Sequence, residues 1–95
     1  MILGFGTITF NLDQCHSLKE KRSIVKSIIA RTRNTFNAGI AEVELNDVHQ
    51  RAVIGFAFVG NDRRKINSDM DKMLEFIDKL SLAEIIDSQS EIFNI

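Results

Sequence analysis

Two stretches of this chain carry β-branched and aromatic residues where helix formers are scarce, and each runs into a helix-start signal. The first is ILGFGTITFNL at 2–12, followed by Ser17-Leu18-Lys19-Glu20. The second is RAVIGFAFV at 51–59, followed by Gly60-Asn61-Asp62. Strands favour the first composition. Ser17 with Glu20 three residues on is a capping box, and Asn61 or Asp62 can cap a second helix. Behind the first cap, Leu18, Val25, Ile28, Ile29, Thr32 and Phe36 recur at helical spacing, widened by Ile24. Asn37-Ala38-Gly39 is expected to stop that helix through a left-handed residue. Behind the second, Ile66, Met70, Met73, Leu74 and Ile77 keep the 3.6 period. IAEVEL at 40–45 alternates, and with 51–59 it forms a hairpin whose loop is longer than two residues. Residues 84–93 read as a last edge strand. The order is βαββαβ. The expected fold is α+β, ferredoxin-like, with a four-stranded antiparallel sheet and two helices on one face, as a single domain over 1–95.

The strand faces are harder to assign. Ile8, Phe10 and Leu12 share one parity and Leu3 and Phe5 the other. Gly4 and Gly6 share the first, where a helix could lie close to the sheet. In 40–45 the alternation puts Ala41, Val43 and Leu45 inward and Glu42 and Glu44 outward. Phe56 and Phe58 are expected on the helix-free face with Phe5. There they would form an aromatic platform or an interface between two copies. Composition narrows the classes. One cysteine allows neither an intramolecular disulfide nor a Cys-rich zinc site. The longest apolar run, Ala52 to Gly60, is about half a membrane span. No secretory signal is evident. A cytoplasmic location, no membrane, no metal and no cofactor are expected.

Charge is distributed unevenly. Residues 1–36 balance at +4 and residues 66–95 at −5, within a net charge of −1. On a helical wheel Lys19, Arg22, Lys26 and Arg33 fall within a sector of about 60° beside the apolar stripe. Lys19, Lys21 and Arg22 open the first helix, and Arg63 and Arg64 open the second. Cations at a helix start oppose the macrodipole by about 0.3–1 kcal/mol each, and a bound anion reverses that sign. The chain reversals bring Gln50 and Arg51 to the end of the sheet where the first helix begins. Lys19, Lys21, Arg22, Lys26, Arg33, Gln50, Arg51, Arg63 and Arg64 are therefore the candidate anion- or nucleic-acid-binding residues. Acidic substitution at Lys19, Lys21 and Arg22 is expected to spare the fold.

SLKEKR at 17–22, Arg31 with Arg33, Phe36-Asn37, Ala41-Glu42-Val43, Gln50-Arg51-Ala52 and Asn61-Asp62 together resemble the YlxP-like family of bacterial proteins. The resemblance covers nearly the whole chain. It implies a ferredoxin-like domain of unknown function. Genes of that family often sit among those for translation initiation and ribosome maturation, so the resemblance implies a role with RNA or the ribosome. His49 stands where that family usually has tryptophan.

Three readings follow. The first is a non-catalytic module for ribosomal or other structured RNA. Gly55-Phe56-Ala57-Phe58-Val59 looks like the middle of the ribonucleoprotein motif, though Ile54 and Asn61 replace its basic and aromatic ends. The second is a homodimer or small-ligand module that buries the open sheet face. The third is a nucleophile site of Cys15, His49 and Asp47, which lacks any supporting motif, so no catalytic residue is assigned.

Overall fold

The computed structural model describes residues 1–95. Its elements are β1 (Ile2–Asn11), α1 (Leu18–Thr35), β2 (Gly39–Glu44), β3 (Arg51–Gly60), α2 (Arg63–Leu80) and β4 (Glu84–Asn94). The strands lie in the order β2-β3-β1-β4, every neighbouring pair antiparallel. Both helices cover one face, giving the ferredoxin-like βαββαβ arrangement.

Both caps form. The Ser17 hydroxyl accepts from the Glu20 amide at 3.2 Å, and Glu20 Oε2 accepts from the His16 amide at 3.0 Å. Asp62 Oδ1 accepts from the Arg64 and Lys65 amides at 2.9 and 3.3 Å. The first helix ends differently from the expected left-handed stop. Phe36 leaves α1 in an extended conformation, and its ring packs edge-on against Phe58 and Phe76. The hold of the core on that ring ends the helix, and no glycine has a positive φ. The left-handed residue falls at the end of α2, on Ser81.

Residues directly opposite in an antiparallel pair project to the same side. Ile8 is opposite Ile54, Phe10 opposite Ala52, Gly6 opposite Phe56 and Gly4 opposite Phe58. All eight therefore face the helices. The placement of Phe56 and Phe58 on the open face is thus corrected: they are 5% and 3% exposed, within the main core. The bare backbone of β1 at Gly4 and Gly6 faces the same side as the two rings on β3. A side chain at Gly4 would strike Ile66 and Met70 of α2. At Gly6 the close neighbour is instead the Gln89 carbonyl of β4. Only Phe5 of the expected platform lies on the helix-free face, beside Phe93 with ring centroids 5.7 Å apart.

Before the bulge the parity of β2 is the reverse of the expected one, while Glu44, opposite Val53, faces outward as expected. Ile40 is opposite Phe56 and Glu42 opposite Ile54, so both face the helices. Ala41, opposite Gly55, takes the open face. A bulge between Glu42 and Glu44 brings Val43 over Gly55 on that face too.

Candidate functional site

Glu42 turns inward because α1 supplies its counter-charge. Lys21 is 0% exposed. Its ammonium lies 2.9 Å from Glu42 Oε2 and donates to the Leu45 and Val48 carbonyls at 2.5 and 2.7 Å. One cation thus ties the first turns of α1 to the end of β2 and the β2–β3 loop. Glu42 is 18% exposed on its side chain, and Lys21 is its ion-pair partner. A buried ammonium is tolerated when its donors are satisfied in this way. Lys21 is therefore withdrawn from the anion-binding set, and an acid there would face Glu42. A signal for this lay in the helix period. Lys21, Val25, Ile28 and Thr32 are the four buried residues of α1, spaced i, i+4, i+7 and i+11.

The remaining candidates divide by their partners. Arg33 Nη2 donates to the Ile40 carbonyl at 2.8 Å, which fastens the end of α1 to β2. The backbone carbonyl of Gln50 accepts from the Leu12 amide at 2.9 Å, which closes the β2–β3 loop onto β1. Arg63 and Arg64 directly follow Asp62, whose carboxylate already accepts from two amides of the α2 tip. An incoming anion there would compete with the protein's own carboxylate. Lys19, Arg22 and Lys26 are exposed and form no ion pair. Arg51 is exposed and unpaired as well, at the start of β3 opposite Asn11.

These three α1 cations are the part of the expected site that the structure leaves available together. At 1.5 Å per residue, Lys19 to Lys26 spans about 10 Å along the helix. Their only acidic companion on α1, Glu20, is engaged by the His16 amide.

Cys15 is buried, and burial pushes its thiol above the usual range, with the Glu20 charge adding to the rise and Lys21 offsetting part of it. A thiol kept protonated is a poor nucleophile. His49 forms no hydrogen bond to Asp47. Beside Cys15, a cavity of about 420 Å³ is lined by Asn11, Asp13, Ile24, Asp78 and Glu84 among others. No group of three or more His, Cys, Asp or Glu side chains is arranged to hold a metal ion. No helix is long and apolar enough to cross a membrane.

Residues 3–90 match a family described as "Protein of unknown function (DUF503)". The chain belongs to that family. It is 33% identical over 92 residues to the uncharacterized protein YlxP of Bacillus subtilis (strain 168), covering 97% of this chain and all of that protein. The YlxP-like resemblance of the sequence is thereby established. Among solved structures, the structural-genomics protein YJCS superposes with a TM-score of 0.54 at 14% identity, over 97% of this chain and 99% of that one. Protein Atu4242 from Agrobacterium tumefaciens gives 0.51 at 11% identity, over 99% and 92%. At these identities the two neighbours speak for the fold alone.

Proposed function

We propose that this protein is a non-catalytic, cytoplasmic binding module that holds structured RNA against the outer face of α1. The observation that carries the reading is the row Lys19, Arg22 and Lys26: three exposed cations without a carboxylate partner that share one side of a helix whose Lys21 and Arg33 are tied to β2 and whose Arg31 is exposed elsewhere on it. A phosphate backbone is the partner that such a row fits, since each neutralised phosphate releases condensed counterions. Base stacking on the sheet is no part of the reading, because Phe56 and Phe58 are in the core.

Three phosphate contacts predict that affinity falls about 20–40-fold between about 50 mM and about 200 mM salt. Filter binding to ribosomal RNA at the two salt concentrations measures this. The triple variant Lys19→Glu/Arg22→Glu/Lys26→Glu should lose binding and keep its circular dichroism. Affinity equal in parent and variant, or indifferent to salt, overturns the reading.

A further inference from the structure

The helix-free face of the sheet has a relief that is complementary to itself. On β2 and β3 its central positions are Gly39, Ala41, Gly55 and Ala57, which carry a methyl group at most, and Val43 stands over Gly55. On β1 and β4 the same face raises Leu3, Phe5 and Phe93, beside the polar Gln89 and Glu91. The low half and the raised half are two strands wide each, divided by the line between β3 and β1. A two-fold axis along that line, parallel to the strands, would lay β3 of one copy over β1 of the other. Phe5 of each copy then sits over Ala57 of the other, Thr7 over the Val43 that covers Gly55, and Leu3 over Val59. We infer that this face docks a second copy of this chain, with those residues in contact.

Charge supports the same pairing. Arg51 lies on this face and has no carboxylate partner in its own chain. The axis places it over Asn11, whose Nδ2 donates to Asp13 Oδ2 at 2.8 Å and Glu84 Oε1 at 3.3 Å. Each Arg51 would meet two carboxylates that the other copy has already gathered, and symmetry makes the contact twice. Two contacts are unfavourable: Asp87 falls over Glu44, and Glu91 falls over Gly39 without a cation to meet it. Phe93 and Val59, 51% and 60% exposed, supply apolar surface at the opposite end from Arg51.

The face measures about 27 Å along the strands and about 19 Å across, so about 500 Å² per copy would be covered. The total of about 1,000 Å² is the lower limit for a specific interface, and it fits a dimer of micromolar affinity. Face-to-face sheets give a helix–sheet–sheet–helix sandwich with both α1 rows turned outward. The inference is therefore independent of RNA binding.

Sedimentation of the full chain between about 1 µM and about 200 µM should show a reversible monomer–dimer equilibrium. Ala57→Gln fills the low half and should weaken association at least about tenfold, as should Phe93→Ser. Arg51→Glu should weaken it and Arg51→Glu/Glu84→Arg should recover it. Glu44→Lys removes the rim mismatch and should tighten it. A monomer at the highest concentration overturns the inference. So does association that ignores Ala57→Gln, Phe93→Ser and Arg51→Glu alike, because the copies would then meet elsewhere. RNA affinity of monomeric Ala57→Gln should match the parent's per chain, which separates this test from the one on α1.

Discussion

α1 and α2 are equal in length, 18 residues each, and lie on the same face of the sheet, yet they treat charge in opposite ways. On α2 the pairing is local. Lys65 meets Asp69 at 3.1 Å and Lys79 meets Glu75 at 2.9 Å, both one turn apart. On α1 six cations accompany one acid, so pairing within the helix is unavailable. Lys21 and Arg33 reach instead to β2 and the loop after it. Lys19, Arg22, Lys26 and Arg31 reach nothing in the protein. Local pairs can be lost one at a time, whereas a cation that holds a strand end and two carbonyls of the loop after it cannot. The unpaired row then marks where an outside anion has something to gain.

The comparison breaks most sharply at Lys21. Lys21→Met leaves the Glu42 carboxylate inward without its cation and removes the donor to two carbonyls. Losing one partner of a buried pair costs about 3–5 kcal/mol. Urea unfolding should show that loss, and Lys21→Met/Glu42→Gln should return part of it because the stranded charge is gone. Equal stability of Lys21→Met and the parent would mean that α1 is held by its apolar stripe alone.

A smaller effect is expected at the caps. Asp62→Ala removes the acceptor for two amides and should cost about 1 kcal/mol. Ser17→Ala should cost less, because the Glu20 bond to the His16 amide survives it. Asp62→Ala also exposes free amides beside Arg63 and Arg64. The variant should therefore regain stability on adding phosphate, where the parent does not. A phosphate response in the parent equal to that of the variant would return Arg63 and Arg64 to the binding set.

Much of this was written in the sequence, and the failures share a cause. The caps and the element order follow from local rules, and the structure bears both of them out. The face of β3 does not, because residues 52–59 are apolar or glycine at both parities and alternation has no sign to read. Pairing decides it: the side-chain-free stretch of β1 faces the rings of β3, which needs the register with a strand some fifty residues away. Glu42 and Lys21 misled in a coupled way. An acid on a strand reads as outward and a lysine in a stripe reads as an irregularity, until the two are placed together and neutralise each other. Of the nine expected anion ligands, the exposed α1 row was legible from the wheel. The tethering of Arg33 was not, since its partner is a backbone carbonyl across a turn.

The smallest effect tests the α2 side of the comparison. The hydrogen bond and charge of Lys79 hold the Glu75 carboxyl below its usual range. A carboxyl whose folded value is depressed adds stability above its unfolded value and loses it as pH falls through the folded one. The contribution is thus present near neutrality and disappears on the acid side, and its exposure to solvent keeps it slight. Lys79→Met should flatten the acid limb of the stability–pH curve by a small amount, and added salt should shrink the difference between variant and parent. Replacing Lys19, Arg22 and Lys26 with glutamine should leave that limb unchanged, since no carboxylate of the folded chain depends on them. It should raise stability a little at all pH values, chiefly by removing Lys19 from the wrong end of the α1 dipole. An acid limb that moves with the α1 triple and not with Lys79→Met would reverse the assignment, with α1 the locally paired helix and α2 the free one.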